Sequence, residues 1–372
     1  TWSDSMSCHR SRPRQQGAAL VIALLVFALA AALMVGVQRD FSLQLQRSTN
    51  TFFAEQGWAF LVGAEELGIL ALSFDSELDS QNEVKVDSLR EAWAQPPQPY
   101  PLDEIGVLIG ALYDLQGRFN LNGLVENPGE GRRPGTTPSN GGGETGNADQ
   151  AETDNPLAGP GQPRARLNEQ QRILARLMLT IPELELDQTE AVRLVERITD
   201  FIDADSERRL DGAENEIYLS GDFPYRPANR ALASVSELRA VAGMTPERYT
   251  LLAPFLSVWP KEGSEINVLT APPQVLAALG RDDSLSPLSA SEVGRFLEMR
   301  DADMIPDTQT FLDDPAFANS EGSGLSNIIT VQSQWFLLDA RVEIADRERR
   351  LYSVLHREGR RIAIVHRTEG EL

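Results

Sequence analysis

The alternation of apolar and polar positions divides the chain into regions of different period, and the first region is entirely apolar. Residues 18–37 contain no charged side chain and no proline. At about 1.5 Å per residue this segment makes a helix roughly 30 Å long, which matches the hydrocarbon thickness of a bilayer. A buried core helix is the alternative, but core helices seldom lack a polar face over this length. The pattern therefore predicts a transmembrane helix over residues 18–37.

The pattern becomes amphipathic after the apolar segment but keeps its helical period. From residue 38 to about residue 72, apolar residues recur mostly at three-, four- and seven-residue spacing. No proline occurs between Pro13 and Pro96. One helix is therefore predicted over residues 18–72, whose second half would pack on a sheet. A disordered stalk is the alternative, but the aromatic residues of this segment need a surface against which to bury.

A break, a strand and a linker follow the long helix. Residues 94–102 are rich in proline and predict a break, and residues 105–114 read as a buried strand. Asn120 and Asn122, in the segment RFNLN, suit a turn or a sheet edge. Residues 125–165 are rich in Gly, Pro, Ser, Thr and Asn, and predict a flexible linker.

The helical period returns in residues 166–320. Residues 266–279 predict a short strand followed by a helix that Thr270 caps. Ser289 or Ser291 is expected to cap the last helix. The remaining predicted helices span residues 167–179, 187–203, 234–241, 245–256 and 289–300.

The C-terminal residues change to a period of two. Strands are predicted at residues 327–331, 335–344, 351–357 and 362–366, and residues 345–350 predict a charged hairpin connection. These strands, together with residues 105–114, would form an antiparallel sheet that covers one half of the long helix. The pattern predicts an α+β fold: a long N-terminal helix on a small antiparallel sheet, with a large inserted α-helical domain.

The charge of the chain is strongly acidic, with a formal net charge of −21. Nucleic-acid backbones require clustered Lys and Arg, so we expect no nucleic-acid binding. Residues 266–279 resemble the opening of a helix-hairpin-helix DNA-binding module, but the chain has only Lys85 and Lys261 as lysines. The acidity is compatible with divalent cations or basic partner surfaces.

Reactive residue types are few. Cys8 is the single cysteine, and the histidines are His9, His356 and His366. Beyond the first residues of the chain, no disulfide, thiolate metal site or histidine-based triad is expected. The residue types therefore predict that this part of the chain has no catalytic centre based on cysteine or on a histidine triad.

The residues before the apolar helix are basic and end in glycine. Arg10, Arg12 and Arg14 precede Gly17, and Met6 is the expected initiator. A cleaved secretory signal has an apolar region of about 7–15 residues and then a small-x-small site. Here the apolar run is longer and polar residues follow it directly. A retained anchor with a cytoplasmic N-terminus is favoured, in agreement with the positive-inside rule.

This arrangement resembles the leader of type IV prepilins, which a membrane-embedded peptidase cuts after the glycine. The resemblance implies that a prepilin peptidase cleaves between Gly17 and Ala18, and that Ala18 is then N-methylated. Most members of this superfamily have glutamate at the fifth mature position, where this chain has Ile22. The K-type minor pseudopilins of type II secretion typically lack that glutamate.

The densest polar cluster lies in residues 199–230. Calcium takes six to eight oxygen ligands, mainly carboxylates and carbonyls, and this segment supplies enough of them. It is not an EF-hand, because Arg208 stands where that loop needs glycine. The residue types leave a calcium site and a solvated acidic loop open, whereas a paired-carboxylate hydrolase lacks any sign of a substrate cleft. The candidate ligands are Asp203, Asp205, Asp211, Glu214 and Glu216.

The same segment carries a second resemblance. DFIDADS, DGAENEIY and PYRPANRALASVSELRAVAGM, followed by INVLTAPPQVLAAL, closely resemble the K-type minor pseudopilins of type II secretion, and RFNLN and Ile22 agree. The chain departs from that family at Leu269, where a second asparagine is expected, and at Asn215, where an acidic residue is expected. A minor pilin of a type IV pilus or of a DNA-uptake system is the alternative.

This resemblance implies a fold, partners and a location. The fold is pilin-like with an inserted α-helical, SAM-like domain, and the protein joins the I and J minor pseudopilins at the pseudopilus tip. The family is associated with calcium, for which Asp203, Asp205 and Glu214 are the first candidates. It implies a single-pass inner-membrane protein with a periplasmic C-terminal domain. The expected segments are a leader at 1–17, a transmembrane helix at 18–37, a pilin-like segment at 38–124, a linker at 125–165, a helical domain at 166–320 and C-terminal strands at 321–372.

Overall fold

The computed structural model describes residues 16–81, 84–103, 105–125, 167–221, 223–280, 284–317 and 324–370. The chain divides into two units, Thr1–Ala59 and Phe60–Leu372. The predicted leader up to residue 15 and nearly all of the predicted linker lie outside the described residues. The segment boundaries predicted above stay predictions.

Helix α1 spans Gln16–Asp79 without interruption. This confirms one continuous helix over residues 18–72 and extends it at both ends. Its N-terminal part is long and apolar enough to cross a membrane, and residues 18–37 are exposed throughout. Apolar side chains that no protein surface covers are what a lipid-facing helix requires.

In the second unit, the last turns of α1 bury one face. Leu61 and Leu72 are fully buried. Gly68 lies on the same face, where a Cβ would sit 3.4 Å from Leu338 and 3.6 Å from Leu112. The helix therefore rests closely on two leucines of the sheet, as predicted for the second half of the long helix.

Within the described ranges, nine strands form one main sheet and two short parallel pairs. The main sheet is antiparallel, in the order β1–β2–β7–β8–β9. The short pairs are β3–β4 and β5–β6. The strands are β1 Pro99–Leu102, β2 Gly106–Asp114, β3 Phe119–Asn120, β4 Leu256–Ser257, β5 Ile266–Asn267, β6 Ile329–Thr330, β7 Trp335–Ile344, β8 Arg347–Glu358 and β9 Arg361–Thr368.

Two strand predictions were wrong. The proline-rich segment contains β1, an edge strand in which Pro99 and Pro101 alternate. An edge strand tolerates proline because the missing N–H groups face away from the partner strand. Residues 327–331 contribute only the two-residue β6, which pairs with β5 instead of joining the main sheet.

The predicted charged connection at residues 345–350 is also shorter than expected. The turn consists of Ala345 and Asp346, both with positive φ, and β8 begins at Arg347. Two residues with positive φ make the kind of tight turn whose twist suits an antiparallel hairpin. The charged residues 347–350 therefore belong to β8, in its exposed first part.

The inserted region is mainly helical and has a continuous apolar core, to which Leu337 and Val354 of the sheet contribute. Asn168, Asp187 and Ser289 cap three of its helices through reciprocal side-chain and backbone hydrogen bonds. The helices are α2 Glu169–Leu179, α3 Gln188–Ile202, α4 Asn215–Leu219, α5 Pro246–Leu252, α6 Pro273–Ala278, α7 Ala290–Asp301 and α8 Thr308–Leu312.

Two details of the helical prediction require correction. The predicted helix at residues 234–241 is a 3-10 helix, Val235–Ala240. Thr270 does not cap α6, whose N-cap is Pro272. The Thr270 hydroxyl donates to the buried carboxylate of Asp114 instead.

Buried asparagines join the inserted region to the rest of the second unit. Asn122 donates to the carbonyls of Leu232 and Val258, and accepts the backbone N–H of Leu232. Asn267 donates to Asp114 Oδ2 and to other buried acceptors. The RFNLN segment therefore connects two parts of the second unit through buried hydrogen bonds. The predicted turn after a strand is present, since Asn120 ends β3 and its side chain accepts the N–H of Asn122 at the start of the 3-10 helix Leu121–Leu124.

Candidate metal centre

Three of the five predicted calcium ligands come together where α3 ends. Asp203 is the C-cap of α3, and Glu214 is the N-cap of α4. Asp205 lies on the loop between them. One carboxylate oxygen from each of the three residues lies within 4.8 Å of the other two. We refer to Asp203, Asp205 and Glu214 as the α3–α4 cluster.

The other two predicted ligands lie outside this cluster. Asp211 is half-buried, and its backbone N–H donates to Glu196 at 2.6 Å. Glu216 is exposed in the first turn of α4. The fold thus brings three of the five predicted ligands together. The carboxylates of Asp211 and Glu216 are not part of this group.

Burial distinguishes the α3–α4 cluster from a solvated acidic loop. Asp203 and Glu214 are each 4% exposed, whereas Asp205 is open to solvent. Asp203 Oδ1 and both carboxylate oxygens of Glu214 have no hydrogen-bond partner among the described residues. Buried carboxylate oxygens are costly unless a donor or a cation compensates them. Calcium prefers this kind of ligand, so the residues present fit the ion.

A fourth carboxylate, Asp200, lies behind the cluster and was not predicted. It stands one helical turn before Asp203, on the same face of α3. It is fully buried, and its Oδ2 accepts the backbone N–H of Arg209 at 3.2 Å. The available signal was the spacing Asp-x-x-Asp at the end of a predicted helix.

Burial changes the acidity of these groups. It raises the pKa of Asp200 to about 7 and the pKa of Asp203 to about 6. The negative charge of Asp205 adds to the effect at Asp203. Burial also raises the pKa of Glu214. Each shift reflects the cost of negative charge at a site with few compensating groups.

The loop that carries the cluster is fixed to α3 by two carboxylates. Glu196 accepts the N–H of Asp211, and Asp200 accepts the N–H of Arg209. Gly212 passes so close to Asp200 that a Cβ there would overlap its Oδ2. The glycine is needed for this close approach, so the loop conformation depends on Gly212 and on acidic residues of α3.

A second group of carboxylates was also not predicted. Asp75 and Asp79 of α1 and Asp87 each place one oxygen within 4.8 Å of the other two. Arg357 of β8 donates to Asp75 at 2.8 Å and to both carboxylate oxygens of Asp87. Asp87 also accepts the backbone N–H of Ser333 at 2.7 Å. We refer to Asp75, Asp79 and Asp87 as the Arg357 cluster.

The predicted processing site lies at the start of α1. Gly17 and Ala18 fall in its first turn, and Ile22 is exposed in its apolar part. An exposed isoleucine suits a lipid-facing position. Cleavage after Gly17 and methylation of Ala18 stay predictions.

A single long helix with an apolar N-terminal part, whose last turns pack on an antiparallel sheet, defines a pilin-like protein. Two family models, both described as type II secretion system protein K, match residues 117–261 and 266–332. The chain is 30% identical to the type II secretion system protein K of Pseudomonas aeruginosa over 365 residues, which cover 97% of this chain and 94% of that protein. The chain belongs to the type II secretion system protein K family and is a minor pseudopilin.

Further comparisons agree with this assignment. The protein K of Klebsiella pneumoniae is 26% identical over 359 residues, covering 96% of this chain and 97% of that protein. A chain in the crystal structure of the GspK-GspI-GspJ complex from enterotoxigenic Escherichia coli has a TM-score of 0.62 and 24% identity, and covers 88% of this chain and 100% of that chain. That structural likeness shows the pilin-like fold. The apolar part of α1 fits a single-pass membrane anchor.

Proposed function

We propose that the chain is the tip subunit of the pseudopilus, where it assembles with the I and J minor pseudopilins and supports export of folded proteins from the periplasm. The observation that carries this is Ile22. In an ordinary pilin the glutamate at this position pairs with the amino terminus of the neighbouring subunit above. A subunit with nothing above it gains nothing from the glutamate, and an unpaired carboxylate in lipid is costly.

Two other observations support the proposal. A chain with the same fold belongs to a solved complex of GspK, GspI and GspJ. The inserted helical region adds bulk beyond the sheet, which suits a terminal position better than a stacked one. The role is structural and not enzymatic. The anchor lies in the inner membrane, with the N-terminus in the cytoplasm and the C-terminal domain in the periplasm.

The experiment replaces Ile22 with glutamate, with Ile22→Leu as the matched control. We expect Ile22→Glu to reduce secretion strongly, because it places an unpaired carboxylate in lipid. Secretion with Ile22→Leu should match the natural chain. Mass spectrometry should find methylated Ala18 as the N-terminus in all three, which separates a processing defect from an assembly defect. Intact secretion with the Ile22→Glu protein incorporated along the shaft would overturn the proposal.

Calcium belongs to the same proposal. Asp203, Asp205 and Glu214 would hold the ion, which supplies the positive charge that their oxygens lack and joins the end of α3 to the start of α4. The unpartnered oxygens of Asp203 and Glu214 support this. Binding would stabilise the helical region and has no catalytic part. Calorimetric titration of the full chain with CaCl2 tests it, and absence of binding at millimolar calcium would count against it.

A further inference from the structure

The negative charge near the end of α3 exceeds the positive charge in contact with it. Four carboxylates lie there, since Asp200 stands behind the α3–α4 cluster. Among the described residues, Arg209 is the cationic side chain that contacts this group. The C-terminal end of a helix itself carries partial negative charge, which adds to the imbalance. Arg209 therefore occupies part of the space that a divalent cation would fill when it binds these carboxylates.

The contacts of Arg209 are loose. Its Nε lies 3.3 Å from Asp200 Oδ1, and its Nη2 lies 3.5 Å from Asp203 Oδ2. Neither Nε nor Asp200 Oδ1 makes a hydrogen bond with favourable geometry to any described residue. The side chain is 36% exposed, so it has a path to solvent. These are long contacts from a partly exposed guanidinium, so the side chain can leave when a bound cation takes over the compensation of the buried carboxylates.

The backbone of Arg209 is held independently of its side chain. Its N–H donates to Asp200 Oδ2, and the neighbouring turn is fixed by Gly212 against the same carboxylate. The guanidinium can therefore swing away while the loop and the α3–α4 cluster keep their conformation. Asp203 is the residue that both the guanidinium and a bound cation would contact.

We propose that Arg209 is an internal counter-ion that compensates Asp200 and competes with a bound divalent cation for Asp203, and so sets the affinity of the site. The inference rests on the proposed calcium binding. In the ion-free protein the guanidinium reduces the repulsion among buried carboxylates. When calcium binds, the guanidinium either leaves or stays at a repulsive distance, and both outcomes weaken binding.

The test compares Arg209→Gln with Arg208→Gln in the full chain purified in detergent. Arg208 is the adjacent arginine and is exposed, so the two variants change the net charge equally. We expect Arg209→Gln to lower the calcium Kd by about tenfold, whereas Arg208→Gln changes it by less than about twofold. The thermal midpoint in chelator should fall for Arg209→Gln and its rise with calcium should grow.

Each outcome of this test supports or overturns the proposed competition between Arg209 and calcium. If the natural chain binds calcium and Arg209→Gln binds no more tightly than Arg208→Gln, the competition is wrong although the calcium site stands. If only Arg209→Gln binds, the competition is supported, whereas the proposed calcium binding by the natural chain is overturned. If none of the three binds, both proposals fail. A variant that folds only with calcium present supports the counter-ion role, and one that is unfolded in calcium and in chelator alike shows a structural role and overturns it.

Discussion

The Arg357 cluster and the α3–α4 cluster each bring three carboxylates together, and they differ in how the negative charge is compensated. In the Arg357 cluster, one arginine that is 9% exposed contacts both Asp75 and Asp87 at hydrogen-bond distance. In the α3–α4 cluster, buried oxygens of Asp203 and Glu214 have no hydrogen-bond partner among the described residues. Its nearest arginine, Arg209, is four times as exposed and lies 3.5 Å from Asp203.

This difference shows that proximity of carboxylates does not by itself define a cation site. A buried arginine with several charge-assisted hydrogen bonds already satisfies a group of acids. Oxygens that the protein leaves without a donor are the stronger indication of a missing cation. The Arg357 cluster is therefore a structural junction between α1, the following loop and β8, and the α3–α4 cluster is the better candidate for calcium.

The largest expected effect is on the Arg357 cluster. Arg357→Ala should lower the free energy of unfolding by about 3–5 kcal/mol, because Asp75 and Asp87 would remain buried without a counter-charge. Arg341→Ala is the control, since that arginine is exposed and its distance to Glu348 is 3.8 Å. Its effect should stay below about 1 kcal/mol. Urea unfolding of both variants checks this, and equal effects would remove the distinction between the two clusters.

The next effect separates the clusters by their response to calcium. Calcium at about 100 times its Kd should stabilise the natural chain by about 2.7 kcal/mol. Asp203→Asn should abolish that gain, because it removes a ligand charge from the α3–α4 cluster. Asp79→Asn, the matched change in the Arg357 cluster, should leave the gain intact. Thermal unfolding with calcium and with chelator measures both, and a loss of the calcium response in Asp79→Asn would contradict the assignment.

The smallest effect concerns pH. Burial, with the charge of Asp87 beside it, raises the pKa of Asp75 from 3.8 to about 6. Between these values the folded chain holds a proton that the unfolded chain has released, so this contribution to stability is present at low pH and is lost as pH rises through about 6. In chelator, Asp75→Asn should lose less stability than the natural chain between about pH 4 and 6. Glu66→Gln, an exposed change on the same helix, should leave the pH dependence as it is, and urea midpoints at each pH provide the comparison.

Local patterns predicted much of the fold. The uninterrupted helical period predicted α1, a buried apolar run predicted β2, and apolar alternation predicted β7, the two strands with nearly the observed bounds. Ser289 was predicted as a possible cap and caps α7. These features depend on residues near one another in sequence. Strand β1 was missed because proline is tolerated only at a sheet edge, and position in a sheet is a property of the whole fold.

The candidate site was likewise predicted only in part. Asp203, Asp205 and Glu214 were predicted from their density in one segment, and the fold brings those three together. Asp200 was missed although it is near in sequence, because only its burial against the loop gives it a part in the site. The carboxylates of the Arg357 cluster are near one another in sequence, but Arg357, which compensates them, lies 270 positions from Asp87, and no local pattern predicts that contact.

By itself, the sequence determined the membrane-length helix and most of the order of helices and strands. It also determined the acidic character of the candidate site and the presence of Ile22 where a glutamate is expected. Periodicity, charge and residue type act locally, so they can be read along the chain. Only the tertiary structure decided which acidic groups are compensated. Compensation depends on which donor reaches a buried oxygen, and the fold brings Arg357 close to one cluster while it leaves Arg209 loosely placed beside the other.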